Sequence, residues 1–146
     1  MSMKKLAAAL AALATLLTMS PAWAEIGRVR NVVGDVQVVR GERTVAATSG
    51  FRLEQGDVVV TGRSGRAGIL FLDNTRAAVG PGSRVSLDEF RYDRARQSGS
   101  FVTSVYRGSI GVVSGNIARS GRDNMRVRTP TSVLGVRGTR FVVEVG

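Results

Sequence analysis

The chain has no cysteine and no histidine, and its two lysines, Lys4 and Lys5, both lie near the N-terminus. It therefore cannot build a Ser-His-Asp or Cys-His catalytic site, or a zinc site with nitrogen or sulfur ligands. The rest of the chain also lacks the amine that Schiff-base chemistry or a phosphate-binding loop requires. Carboxylate chemistry remains as the enzymatic possibility, and the fold must be stable without disulfides.

Long apolar runs are scarce as well, and the longest lies at the N-terminus. Leu6–Met19 follows the two lysines, and Pro21 precedes a small-x-small pattern that ends at Ala24. At 14 residues, this run is shorter than the roughly 20 that a membrane-spanning helix needs. The pattern predicts a helical signal peptide over residues 1–24, cleaved before Glu25. An uncleaved membrane segment is the alternative.

Removal of residues 1–24 leaves 122 of the 146 residues, enough for one domain over residues 25–146. That domain carries 19 arginines and 11 acidic residues, a net charge of +8, which attracts anionic partners. For a periplasmic or secreted protein, these are anionic glycans, lipid headgroups or an acidic protein, and nucleic acid is a poor candidate. Because the arginines are scattered singly, they also fit an ordinary solvated surface.

Apolar and polar residues alternate over short, valine-rich stretches separated by glycine, asparagine, aspartate and proline. Val36–Arg40, Ala67–Leu72 and Phe101–Tyr106 are examples. This pattern is typical of an all-β domain of layered short strands, and no stretch after the signal sustains helical spacing for three turns. The most polar segments, 91–100 and 114–124, are predicted to be a mobile loop and a connector.

A weak Gly-x-apolar-x-Val repeat begins at Gly34, Gly56 and Gly108. The first two positions are 22 residues apart, a spacing that fits one coil of a β-solenoid. The third does not keep the period. The same pattern is also what an ordinary glycine-turned β domain shows.

Six motifs follow one another between Val32 and Val145. In order they are Gly34–Val38, Gly56–Gly62, Ala67–Thr75, Gly80–Leu87, Gly108–Val113 and Thr129–Phe141. This ordered set resembles the FecR-type domain of bacterial extracytoplasmic proteins. The resemblance implies a twisted, solenoid-like all-β domain in the periplasm that contacts proteins and does not catalyse. Named members also carry a sigma-factor-handling segment and a receptor-facing domain that this sequence lacks, so transmembrane signalling is not carried over.

The family-motif residues are interpreted as structural. Their glycines suit positive φ or close backbone approach, and Asp57 and Asp73 suit turns in which a carboxylate accepts backbone N–H bonds. Arg137 lies among apolar neighbours and is expected to pair with one of these two aspartates if it is buried. The motif residues are Gly34, Gly56, Asp57, Thr61, Gly62, Asp73, Gly80, Pro81, Ser83, Gly108, Thr129, Pro130, Arg137, Gly138, Thr139 and Phe141.

These observations predict a non-catalytic periplasmic module that binds another envelope protein, on its strand faces or on the open edge near Phe141–Val145. The first alternative is an arginine surface for anionic polymers or lipid headgroups, in which Arg63 and Arg66 and the free amides of their glycine-rich turn hold an anion. No cofactor or metal site is predicted, since neither Asp73-Asn74-Thr75 nor Asp123-Asn124 has the spacing of a calcium loop.

A carboxylate glycosidase is the remote alternative. Its candidate acids are Asp88 and Glu89 together with Asp57 or Asp73. Adjacent acids on a strand point to opposite faces, so Asp88 and Glu89 would not flank one glycosidic bond together.

Overall fold

The computed structural model describes residues 24–138 and 140–146, and strands account for most of them. The prediction of an all-β domain is confirmed. The signal peptide, residues 1–24, lies outside the described residues except for Ala24, and so does Thr139 of the motif set. In the described part of the chain, no helix is long and apolar enough to cross a membrane.

Twelve strands and one short helix make up the described fold. The strands are β1 (Glu25–Val33), β2 (Val36–Arg40), β3 (Arg43–Ala46), β4 (Arg52–Glu54), β5 (Val58–Thr61), β6 (Arg66–Phe71), β7 (Arg76–Val79), β8 (Arg84–Asp93), β9 (Ser98–Val113), β10 (Met125–Arg128), β11 (Val133–Val136) and β12 (Arg140–Val145), and the helix is α1 (Asn116–Ser120).

One long strand, β9, connects all of these strands into a single curled sheet. Its N-terminal part pairs with β8 on one side and β10 on the other. Its C-terminal part, Gly108–Val113, pairs with β7 and β12. The sheet therefore has two layers. The first layer is β12, the C-terminal part of β9, β7, β6, β1 and β4, and the second is β3, β2, β5, β8, the N-terminal part of β9, β10 and β11.

Four of the places where the chain passes between the two layers are linked to one another by hydrogen bonds. Three are the short turns at residues 34–35, 62–65 and 80–83, which join β1 to β2, β5 to β6 and β7 to β8. The fourth is a bend within β9 at residues 108–109, where Gly108 has a φ of +83°. We call these four segments the crease, because the sheet folds over on itself along them.

The two layers enclose the hydrophobic core. Phe71 of the first layer contacts Phe90 and Phe101 of the second, with ring centroids 5.7 and 4.7 Å away. Such stacked and edge-on contacts add to the free energy gained from burying the rings. The rest of the core is mainly valine, isoleucine, leucine and alanine from alternate strand positions, as period-two burial requires.

The two predicted polar segments differ from expectation. Residues 91–100 are not a mobile loop. They form the end of the β8–β9 hairpin, in which Tyr92 pairs with Gly99 and only residues 94–97 form the turn. Residues 114–124 contain α1, whose Ile117 and Ala118 are fully buried. Strand pairing and burial of two apolar side chains outweigh the polar composition of these segments.

The solenoid form of the prediction gains no support from the strand ladders. Every described ladder is antiparallel except that of β9 with β10, whereas the stacked coils of a β-solenoid pair in parallel. Gly34 lies in the crease, and Gly56 lies in the turn between β4 and β5. Their 22-residue separation therefore does not correspond to one coil.

Candidate binding groove

The crease is built by side chains of the motif set. The Thr61 hydroxyl donates to the Gly80 carbonyl (2.6 Å) and accepts from the Ser83 amide (2.9 Å). The Ser83 hydroxyl in turn donates to the Ser109 carbonyl (3.2 Å) and accepts from the Ser109 amide (2.9 Å). A Cβ on Gly108 would lie 2.1 Å from the Ser83 hydroxyl oxygen. Only glycine fits at position 108, because the close contact and the positive φ both exclude a side chain.

The other end of the crease uses backbone hydrogen bonds. The Gly62 amide donates to the Asp35 carbonyl, and the Gly82 amide donates to the Gly62 carbonyl, each over 2.9 Å. The Gly65 amide also donates to the Gly62 carbonyl, over 3.0 Å. The amides of Gly62 and Gly65, two of those expected to be free in the predicted anion site at Arg63 and Arg66, therefore already have acceptors within the crease.

Asp57 is a buried structural carboxylate whose arginine partner is Arg40. Its side chain is 1% exposed, and its two oxygens accept from Nε and Nη2 of Arg40 at 2.8 Å each and from the Glu54 amide at 2.8 Å. The hydrogen bond to Asp57 raises the pKa of Arg40, against the opposing effect of partial burial.

The predicted pairing of Arg137 with one of the motif aspartates is wrong. Arg137 is exposed, and it lies in the connection between β11 and β12.

Asp73 attaches α1 to the turn between β6 and β7. It is fully buried and accepts from the amide and hydroxyl of Thr75, at 3.0 and 2.7 Å, and from the Ile117 amide at 3.2 Å. The Thr75 hydroxyl accepts from the Gly115 amide at 3.1 Å. Both motif aspartates are thus saturated with internal hydrogen bonds.

The remaining candidate acids also have partners within the second layer. Asp88 accepts from the hydroxyls of Ser86 and Ser104. Glu89 accepts from the Ser100 hydroxyl at 3.0 Å and pairs with Arg91 at 3.3 Å. No three histidine, cysteine, aspartate or glutamate residues among those described form a group that could hold a metal ion.

The other motif residues lie in turns and at the end of the chain. Thr129 and Ser132 close the β10–β11 turn around exposed Pro130, with the Thr129 amide 2.8 Å from the Ser132 carbonyl. Gly138 has a φ of +50°, and Phe141 is half-buried against the core. Gly56 has a φ of +90°, and its amide donates to the Leu87 carbonyl at 2.7 Å, whereas Pro81 is exposed within the crease.

At the predicted cleavage site, Ala24 is exposed and Glu25 begins β1. Glu25 pairs with Arg28 at 2.5 Å, and this hydrogen bond lowers the pKa of Glu25 below its ordinary value. Cleavage before Glu25 would leave the whole of β1 in the mature chain.

The outer face of the first layer is concave. Its floor is a row of cross-strand neighbours, one on each of five strands: Asn31, Gly68, Ala78, Gly111 and Val142. Side chains alternate along a strand, and the neighbours of these residues in β6, β7 and β9 point into the core. Two glycines and an alanine in the middle of the row therefore leave a trough on the outside.

Three adjoining cavities occupy this trough, with volumes of about 510, 330 and 300 Å³. Neighbouring cavities have lining residues in common: Ala78 lines the first two, Gly68 the last two, and Arg76 the first and third. We call the continuous depression that they form the outer groove. It ends at β12, whose other edge is unpaired among the described strands.

Four exposed arginines line the outer groove: Arg30, Arg66, Arg76 and Arg140. A bulge in β1 between Val29 and Asn31 brings Arg30 to the same side as its neighbour in the floor. No acidic residue lines any of the three cavities, and none of the four arginines forms an ion pair with a described residue.

The groove also exposes aliphatic side chains. Val142 is 69% exposed in its floor and Val33 is 60% exposed at its β1 end, while Val113 and Leu70 line its side. Of the four arginines, sequence reasoning singled out only Arg66, and there as part of a turn. The strand alternation places such residues outward, but only the register across five strands brings them together.

Comparison with known families identifies the chain's family. The family model described as FecR protein matches residues 57–146, from the buried Asp57 to the end of the chain. No curated protein and no solved structure matches the chain at a significant level. The matched segment includes three of the four crease segments and the last four strands of the outer groove.

Proposed function

The chain belongs to the FecR protein family, and from that premise we propose that it is a non-catalytic regulatory module of the bacterial envelope that works by binding another protein. The observation that carries this proposal is that the residues with structural roles and the residues available for binding are largely different. Most of the motif residues described above hold the crease and the turns, and Gly80, Pro81 and Phe141 also line the groove. The four groove arginines, in contrast, form no ion pair with a described residue, and Val142 and Val33 are more than half exposed. A surface with unused binding capacity is what an interaction module requires.

The state of the carboxylates supports the non-catalytic part of the proposal. A glycosidase needs two carboxyl groups that flank one bond in an accessible cleft. Asp57 and Asp73 are buried and saturated with hydrogen bonds, and neither they nor Asp88 and Glu89 line the outer groove. Incubation of the purified protein with envelope glycans, followed by analysis for new reducing ends, should detect no product. If product is formed, and Asp88→Asn abolishes its formation, the proposal that the protein is non-catalytic would be overturned.

The periplasmic location rests on the predicted signal peptide together with the family. Cell fractionation should place the protein in the envelope, and N-terminal sequencing should begin at Glu25. Full-length protein retained in the inner membrane would instead favour an anchored regulator.

Protein binding is tested by photocrosslinking in the cell. A photoreactive phenylalanine analogue replaces Val142 in the groove, Val45 in β3 or Leu134 in β11, all of which are exposed. We expect one discrete protein adduct from position 142 and none from the two controls. Absence of a protein adduct at all three positions would contradict the proposal. An adduct only from the position in β3 or β11 would still support protein binding, but it would place the binding surface on the second layer and not in the outer groove.

The four unpaired arginines give specific support to a second candidate, a surface for anionic glycans or lipid headgroups. Attraction of this kind is screened by salt, because the Debye length falls from about 8 Å at physiological ionic strength to about 3 Å at 1 M. Partners that elute as salt is raised and that contain glycan or lipid but no discrete protein would favour this candidate. One discrete protein among the partners, whether it elutes with salt or stays bound, would favour the protein module.

A further inference from the structure

We infer that the outer groove binds an acidic segment of a partner polypeptide, one that carries aliphatic side chains among its carboxylates. This inference rests on the proposed function and names the chemistry of the partner. It follows from the charges, the apolar surface and the shape of the groove.

Charge determines the acidic character of the partner. The groove has four exposed guanidinium groups, and no acidic residue of the described chain lines it. A guanidinium group binds a carboxylate through two parallel N–H···O bonds, a geometry that gives orientation as well as attraction. Asp57 and Arg40 already show this pairing inside the protein, at 2.8 Å for each bond. The groove arginines are free to make the same contact with a ligand.

The apolar surface distinguishes a polypeptide from a simple polyanion. Val142 and Val33 are more than half exposed, and Val113 and Leu70 extend the aliphatic surface between the arginines. A polyphosphate or a sulfated glycan has no aliphatic side chains to cover these groups. An acidic polypeptide supplies both kinds of group, as cores of protein interfaces combine apolar residues with arginine.

Shape and charge disfavour the other occupants. A flat bilayer would not reach the floor of a trough formed by Gly68, Ala78 and Gly111. A second copy placed groove to groove would bring eight arginines together without carboxylates between them, since each copy contributes four. Like charges in one interface are costly.

The dimensions set the length of the segment. The floor crosses five strands, and four inter-strand spacings of ~4.8 Å make it about 19 Å long. That length corresponds to about 13 residues of an α-helix or about six residues of an extended chain. A short segment of a larger protein is therefore sufficient.

The test is a selection from a displayed library of random short peptides against the purified protein. The matched variants are Arg76→Gln/Arg140→Gln in the groove and Arg43→Gln/Arg126→Gln on exposed strand positions of the second layer. Both doubles lower the net charge equally. We expect selected peptides to combine aspartate or glutamate with aliphatic residues. A synthesised peptide should lose at least about tenfold in affinity with the groove variant and little with the control.

Three results would overturn the inference: no enriched peptide, enriched peptides without acidic residues, or equal loss of affinity with both double variants. If no peptide is enriched but the protein binds dextran sulfate, and only the groove variant loses that binding, the groove is a site for polyanions. The photocrosslinking experiment separates this failure from failure of the proposed function. A protein adduct from position 45 or 134, with no acidic peptide selected, would refute the inference about the outer groove. The proposed function, binding of another protein, would still be supported.

Discussion

The crease and the outer groove both depend on glycine, and they use it for opposite purposes. Gly108 and Gly111 lie three positions apart on β9. A Cβ on Gly108 would lie 2.1 Å from the Ser83 hydroxyl, whereas a Cβ on Gly111 would lie 4.0 Å from its nearest neighbour, a methyl group of Val142. At the crease, glycine is required by the fold. In the groove it leaves space that a ligand can fill.

This contrast shows that two glycines of one sequence motif can have different roles. The Gly-x-apolar pattern at Gly108 marks a position where the backbone must bend with positive φ. Gly111 in the same motif has ordinary strand geometry, so nothing in its backbone requires glycine. The motif therefore combines a residue needed for the fold with one whose absence of a side chain shapes the surface.

The largest expected effect comes from Gly108→Ala. The new methyl group meets Ser83 at a φ of +83°, so strain of about 1–3 kcal/mol adds to an overpacking cost of similar size. Urea denaturation should show the loss directly. An unchanged midpoint would mean that the crease tolerates a side chain at this bend, which would remove one half of the comparison.

A smaller effect is expected at the buried carboxylate. Arg40→Ala leaves Asp57 buried with one backbone donor and should lower the free energy of unfolding by about 2–3 kcal/mol, less than the full cost of a broken buried pair because Arg40 is 37% exposed. Arg137→Ala removes an exposed side chain and should change it by less than about 0.5 kcal/mol. Chemical denaturation at neutral pH measures both. A larger loss of unfolding free energy for Arg137→Ala than for Arg40→Ala would contradict the assignment of Arg40 as the partner of Asp57.

Gly111→Ala should raise stability slightly, by about 0.5–1 kcal/mol, because alanine restricts the unfolded chain and its methyl group has room. The same methyl group reduces the depth of the outer groove. We therefore expect weaker binding of the selected acidic peptide together with a higher melting temperature. Lower stability with unchanged binding would show that position 111 belongs to the fold and not to the groove.

The smallest effect concerns pH. The Arg28 hydrogen bond lowers the pKa of Glu25 from its ordinary value of 4.5. The contribution of this pair is therefore fully present above pH 4.5 and is lost as the pH falls through the lowered folded-state value. Glu25→Gln should lower stability slightly at pH 7, and the difference from the unchanged protein should vanish in acid. A difference that grows on acidification would contradict the pairing.

Much of the fold could be predicted because it depends on local chemistry. Strand alternation indicates the β layers, and Asp57 and Asp73 accept backbone N–H bonds in turns, as their residue type suggests. The partner of Asp57 could not be predicted, because Arg40 and Arg137 both adjoin apolar strand residues and only the tertiary fold distinguishes them. Sequence composition also missed the burial of Ile117 and Ala118 in α1, a helix whose first turn is hydrogen-bonded to Asp73 in a distant part of the chain.

The outer groove was beyond sequence reasoning for a related reason. Arg30, Arg76 and Arg140 lie on three separate strands, and their proximity depends on the register of four ladders. A shift of one residue in any ladder would move a small residue from the outer face to the core. Turn chemistry is encoded locally, whereas a groove across a sheet is not.

The central claim is that the fold depends on the crease and binding depends on the groove. Unfolding free energy and affinity for the selected acidic peptide, measured on the same two variants, test it most directly. Ser83→Ala deprives the Ser109 amide of its acceptor and should cost about 1–3 kcal/mol of stability while leaving affinity unchanged. Arg76→Gln/Arg140→Gln should leave stability unchanged and lose the peptide. Loss of affinity with Ser83→Ala in a protein that is still folded, or loss of stability without loss of affinity in the arginine variant, would contradict the account.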